Sequence, residues 1–283
     1  MSSTGDPLAS EITVRRIESA RLGHRVREAG GGPLVVFMHG ITANAAVWDP
    51  ITERLASDYR VISIDQRGHG GSDRPAADDG AYTGEAYALD AIALVEMLGV
   101  DRAFLVGHSL GARNAIVAGH LRPDLIAAVV AIDFTPRIEP EVFDSLAARV
   151  SGGNRTFAAV EDIVAYLRDR YPRIPDDALR RRAEHGYRAG DDGLRPLADA
   201  DALDATAAGL REDFERAFVE STVPTLLIRG SDSKLVSREA WAATKLLRPD
   251  IAAIEVAGAD HYVPEEAPDV VAAAIREFLG RVG

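Results

Sequence analysis

The sequence predicts an α/β fold: a mostly parallel eight-stranded sheet with helices on both faces and a helical cap inserted in its second half. Short, nearly continuous apolar runs alternate with longer amphipathic stretches along 283 residues. That rhythm stops after Asp133 and returns near Thr225. A serine flanked by glycines stands where one apolar run passes into a helical stretch. Alternation of this kind puts crossover helices on the faces of a parallel sheet, and the interruption marks an insertion between two of its strands.

In chain order, residues 13–16 and 23–27 read as an opening antiparallel hairpin. The runs Leu34–Met38 (LVVFM) and 61–64 (VISI) follow, then 103–106 (AFLV), 128–132 (AVVAI), 225–228 (TLLI) and 253–256 (AIEV). Apolar runs this short, with little or no polar face, suit strands covered on both sides. Between them, 84–98 places Ala88, Ala91, Ile92, Val95 and Leu98 at helical spacing, with Thr83 as N-cap and Gly99 as the stop. From 136 to about 220 the chain reads as helical and arginine-rich, broken by Pro172, Pro175, Gly186 and Gly193, with no convincing strand. The expected organisation is a core of 1–135 and 221–283 with a cap of 136–220. Extra helices packed on the core are the alternative, and the return of the strand rhythm favours an insertion.

Acidic residues outnumber basic ones 44 to 32, for a formal net charge of −12. That balance disfavours nucleic acid and anionic membrane as partners. A small anionic substrate is not excluded, since local arginines set the field inside a pocket. Cysteine is absent from the sequence, which rules out disulfides, thiolate metal sites and a thiol nucleophile. The first 11 residues are polar and lack the basic-then-apolar plan of a secretion signal. No apolar run approaches the roughly 20 residues that span a bilayer, so the expected location is the cytoplasm. The oligomeric state is left open, with a homodimer among the options.

Gly107-His108-Ser109-Leu110-Gly111 matches G-x-S-x-G between the run 103–106 and the helical stretch ARNAIVAGHL. Strand, tight turn and helix form the context in which such a serine acts as a nucleophile. Only glycine is small enough beside so tight a turn, and the helix N-terminus beneath it stabilises developing negative charge. One oxyanion donor is expected from the N–H of Leu110. A second is expected from Ile41 in His39-Gly40-Ile41, the loop after LVVFM. Asp65-Gln66-Arg67-Gly68-His69-Gly70-Gly71-Ser72 reads as a structural turn, because Asp65 and His69 lack a third ligand for a metal.

The serine turn, the His39-Gly40 loop, the DQRGHGGS loop and the terminal Gly258-Ala259-Asp260-His261-Tyr262 together resemble the α/β-hydrolase superfamily over nearly the whole chain. The resemblance implies the order serine, acid, histidine along the chain. His261 alone has the right order and lies just past the last expected strand, so it is the expected general base. Asp133 and Asp232 are the candidate acids. Most members carry their acid in a later G-x-x-D loop, but Gly230-Ser231-Asp232-Ser233 puts Ser233 at that spacing and Asp232 one residue early. Asp133, ending the run beside the nucleophile strand, is preferred, with Asp232 as the fallback. Serine at 109 argues against haloalkane dehalogenases and epoxide hydrolases, which carry aspartate there.

Within the superfamily, GHSLGARN, AIDFTPRIE, RYPRIP, GLRPLA and RGSDSKLVS look like the (E)-2-(acetamidomethylene)succinate hydrolases of vitamin B6 degradation. That resemblance implies an amidohydrolase releasing acetate, ammonia, carbon dioxide and succinic semialdehyde from a dicarboxylate. It also implies an acid after the sixth strand, in agreement with Asp133. No cofactor or metal is expected. The cap carries Arg149, Arg168, Arg170 and Arg173 and no lysine, and guanidinium forks suit carboxylates. Guided by the resemblance, Arg149, Arg170 and Tyr171 are the candidate substrate-binding residues. A carboxylesterase, lactonase or C–C bond hydrolase of another small acid is the alternative activity. A non-catalytic scaffold is the alternative class, against which the intact Ser109 and His261 framework argues.

Overall fold

The computed structural model describes residues 11–78, 80–151 and 153–283. The polar N-terminal stretch lies outside them, apart from Glu11. β1 (Thr13–Glu18) and β2 (Gly23–Ala29) form the opening antiparallel hairpin. β3 (Leu34–Met38), β4 (Arg60–Ile64), β5 (Ala103–His108) and β6 (Ile126–Ile132) follow, interleaved with α1 (Asp49–Leu55), α2 (Gly84–Met97) and α3 (Leu110–Leu121). The N-cap of α2 is Thr83, whose hydroxyl accepts the Ala86 N–H, and Gly99 at φ 66° follows its end.

After β6 the chain forms α4 (Pro140–Ser151), α5 (Val160–Arg170), α6 (Asp176–Gly186), β7 (Tyr187–Gly190), β8 (Gly193–Pro196), α7 (Ala200–Gly209) and α8 (Glu215–Glu220). It then returns to the sheet with β9 (Thr225–Gly230), α9 (Arg238–Leu247), β10 (Ala252–Val256), α10 (Val263–Glu266) and α11 (Pro268–Val282). The eight-stranded sheet has the order β1-β2-β4-β3-β5-β6-β9-β10. Its first two contacts are antiparallel and the rest parallel.

Alternation along each strand supplies an apolar layer to both faces. In β3, Val35 and Phe37 join Ile51 and Leu55 of α1 and Ile275 and Phe278 of α11. Val36 and Met38 join Ala91 and Val95 of α2 and Ala112 and Ile116 of α3 on the other face. With both faces covered, β5, β6 and β9 are buried along their whole length. Because these strands are parallel neighbours, their carboxyl ends bring Ser109, Asp133 and the 231–233 loop to one edge of the sheet.

The segment between β6 and β9 contains a cluster of its own, built on Ile163, Leu167, Tyr171, Ile174 and Leu179. It also contains the hairpin β7–β8, where the residue pattern predicts no strand. Each strand has four largely unburied residues and therefore no alternating apolar signal. The pairing depends instead on Gly193 at φ 128°, where a Cβ would lie 2.5 Å from the Phe157 carbonyl oxygen. Phe157 and Leu194 bridge across that contact. Among the described residues no helix is long and apolar enough to cross a membrane.

Candidate active site

Ser109 occupies the turn between β5 and α3, with φ 53° and ψ −115°. A non-glycine residue adopts this region only under strain. The neighbouring packing enforces it. A Cβ on Gly107 would lie 2.0 Å from the Gly111 carbonyl oxygen, and one on Gly111 would lie 2.1 Å from that of Met38. The Ser109 N–H donates to the Ile132 carbonyl at 2.9 Å, tying the turn to β6. Leu110 is the first residue of α3, so its N–H has no acceptor within the helix.

The second expected oxyanion donor, Ile41, lies in a loop held by a buried polar chain. The Gln66 backbone N–H donates to His39 Nε2 at 3.1 Å, which leaves the proton on Nδ1 to donate to the Gly40 carbonyl at 2.7 Å. The Gln66 side-chain amide donates to the His39 carbonyl at 2.6 Å, and the Asn114 amide donates to Gln66 Oε1 at 2.8 Å. Burial lowers the His39 pKa to about 4, so the ring stays neutral. Gly40 lets the loop approach, since a Cβ there would stand 3.3 Å from the Ser109 Cβ.

Asp133 directly follows β6, at φ 50°. His261 Nδ1 donates to its Oδ2 at 2.8 Å. The same oxygen accepts the Ser233 hydroxyl at 2.6 Å, and Oδ1 accepts the Gly230 N–H at 3.0 Å. Asp232 points outward, where it accepts from Arg173 at 3.1 Å and from the Ser231 hydroxyl at 3.1 Å. Of the two candidate acids, Asp133 is the one that contacts the histidine. Burial holds the His261 imidazole far below its ordinary value, and Arg149 and Arg182 act in the same sense. Burial pushes the Asp133 carboxyl up, while the Ser233 hydroxyl and the Gly230 amide pull it back. The imidazole is therefore neutral near pH 7, the state a general base requires. His108 Nε2 donates to the His261 carbonyl at 2.8 Å and so anchors the histidine loop.

Ser109, His261, Ile41 and Arg149 line one small cavity of about 10 Å³. A second cavity of about 170 Å³ is lined by Arg170, Tyr171 and Tyr187. The two share Thr42, Ala43 and Arg182 as lining residues. Tyr171 accepts from Arg170 Nε at 3.3 Å, and its hydroxyl lies 3.2 Å from that of Thr42. Arg168 pairs with Asp176, and Arg173 with Asp232 and Glu266. Arg149 and Arg170, by contrast, have no carboxylate partner among the described residues. Among the described residues no group of three or more histidine or carboxylate side chains is arranged to hold a metal ion. Asp65 instead accepts the N–H groups of Ala45 and Gly71.

A family profile described as the alpha/beta hydrolase fold matches residues 33–268. The chain belongs to the α/β-hydrolase family. It is 47% identical over 279 residues to the 2-(acetamidomethylene)succinate hydrolase of Mesorhizobium japonicum, covering 99% of each chain. It also resembles a crystal structure of E-2-(acetamidomethylene)succinate hydrolase, with a TM-score of 0.93 and 48% identity over 95% of this chain and 100% of that one. An α/β hydrolase from Novosphingobium aromaticivorans follows at a TM-score of 0.81 and 26% identity, over 96% of this chain and 99% of that one.

Within this α/β hydrolase, sequence reading gave no role to His108, Ser233 or Arg182. Arg182 donates to both carboxylate oxygens of Glu265, at 2.8 and 2.5 Å. Its guanidinium lies 5.0 Å from the ring centres of both Tyr171 and Tyr262. This buried pair ties α6 to the residues that follow His261. Nothing in the local run Arg180-Arg181-Arg182 distinguishes the third arginine, whereas Ser233 carried a signal in its spacing from Gly230.

Proposed function

We propose that this α/β hydrolase cleaves the amide of (E)-2-(acetamidomethylene)succinate, with the segment 136–220 acting as its cap. The carrying observation is Arg149, a guanidinium without a carboxylate partner among the described residues, lining the same cavity as Ser109 and His261. Arg170 extends that positive lining into the larger cavity, where the Tyr171 hydroxyl stands beside it. At about 170 Å³ it is well below the roughly 300–1,000 Å³ of sites for drug-sized ligands, which suits a small diacid. The similarity to the enzyme from Mesorhizobium japonicum supports the same substrate.

In this reading His261 removes the proton of Ser109, whose Oγ attacks the acetyl carbonyl. The N–H groups of Ile41 and Leu110 hold the oxyanion, and ionised Asp133 stabilises the imidazolium. Arg149, Arg170 and Tyr171 hold the two carboxylates. His261 then protonates the departing nitrogen or the enamine carbon, and the C–N bond breaks. One water, activated by His261, releases acetate from Ser109. A second water hydrolyses the freed enamine through its imine, giving ammonia, and loss of carbon dioxide leaves succinic semialdehyde. The reaction calls for no cofactor or metal, and we place it in the cytoplasm.

The test is incubation of the purified protein with (E)-2-(acetamidomethylene)succinate, following acetate and ammonia. Equimolar release of the two is expected. Brisk hydrolysis of simple esters with neither product would refute the substrate and favour a carboxylesterase or lactonase.

A further inference from the structure

We propose that Ser233 is a positioning residue that holds Asp133 in the orientation His261 needs. The inference rests on the triad of the proposed function and assigns a role to a hydroxyl that lies outside it. Ser233 Oγ accepts the N–H of Val236 at 3.1 Å and that of Leu235 at 3.3 Å. With both lone pairs engaged, its one proton points to Asp133 Oδ2 at 2.6 Å. That oxygen also accepts His261 Nδ1, and Gly230 donates to Oδ1. The carboxylate plane is therefore set by three donors. Two of them come from the end of β9 and the loop after it, the place where a carboxylate would stand had the acid come from that loop. Without Ser233 the carboxylate keeps one fixed donor besides the histidine and turns about its Cβ–Cγ bond.

Ser233 also favours the charged form of Asp133 against the burial that disfavours it. The charges of His108 and Arg229 act on Asp133, and those of Arg149, Arg182 and Asp260 act on His261. None of these donates a hydrogen bond to the Asp133 carboxylate among the described residues.

The experiment compares full-length wild type, Ser233→Ala and Ser233→Thr on p-nitrophenyl acetate, with fluorophosphonate labelling of Ser109. Ser233→Ala is expected to lower kcat about 10- to 100-fold, the loss of one charge-assisted hydrogen bond, with KM little changed. Its acid limb moves to higher pH, because a less supported carboxylate protonates sooner. Ser233→Thr, which keeps the hydroxyl, recovers most of the rate. A Ser233→Ala protein with wild-type kcat and pH profile overturns the proposal. So does a loss that Ser233→Thr fails to restore, since the defect then lies in packing. The ester reads the triad whatever the natural substrate, so wild type that cleaves the ester but not the acetamido diacid sinks the substrate alone.

Discussion

Replacing Asp133 by Asn tests the assignment of the acid most directly. The side chain keeps its size, but one of its two oxygens becomes an NH₂ donor. In the native site both oxygens accept: Oδ2 from His261 and Ser233, and Oδ1 from Gly230. If the amide nitrogen takes the Oδ2 position, it donates to His261 Nδ1 and drives the proton to Nε2, where the ring can no longer take one from Ser109. If it takes the Oδ1 position, it faces the Gly230 N–H donor to donor, a buried conflict. The first outcome selects the wrong tautomer, a change that costs a serine triad about 10⁴-fold in kcat. Asp232→Asn weakens only surface contacts, to Arg173 and the Ser231 hydroxyl, and leaves kcat essentially unchanged. The assay is acetate release from the acetamido diacid at pH 7, with circular dichroism as a check on folding. Near-normal turnover in Asp133→Asn with collapse in Asp232→Asn would refute the reasoning.

Three further outcomes follow from the same contacts. Arg149→Gln should raise KM for the diacid about 10- to 100-fold, as expected for loss of a charge-assisted contact, while KM for a neutral ester stays unchanged. Equal effects on both substrates would remove Arg149 from carboxylate binding. Arg182→Met strands a buried Glu265 carboxylate and should destabilise by about 3–5 kcal/mol, read as a fall in the denaturant midpoint. The buried His39, His69 and His108 have pKa values depressed to about 4, 3 and 3. Between those values and the unfolded value near 6.5, the unfolded chain binds the extra protons, so stability falls as pH drops below about 6.5. Each histidine costs about 2 kcal/mol by pH 5. Denaturant unfolding at pH 7 and pH 5 measures this, and equal stabilities would contradict it.

Much of the architecture was legible in the chain because it depends on short-range physics. The apolar runs of β3, β5, β6 and β9 are those of strands covered on both faces. In the turn around Ser109, Gly107 is required by the Gly111 carbonyl four residues on, a local effect, whereas Gly111 answers to the approach of Met38 from β3. Thr83 and Gly99 bound α2 through capping and a left-handed residue, again local effects. The two short strands β7 and β8 escaped that reading, since their pairing depends on an approach by Phe157 from 30 or more residues away.

The rest depended on where the sheet order brings distant residues. Asp133 and Asp232 each lie just past the end of a strand, and along the chain they differed by one residue of register and by which strand each follows. Parallel pairing of β6 with β9 decides which of them meets His261, at 2.8 Å across 128 residues of chain. The same pairing delivers Ser233 to Asp133 across 100 residues. Arg182 finds Glu265 across 83, while other arginines of its segment pair at the surface. A side chain's pattern along the chain records what its own strand or helix requires of it. Its partner across the fold is chosen only when the layers close, and with that partner come its charge state and its orientation.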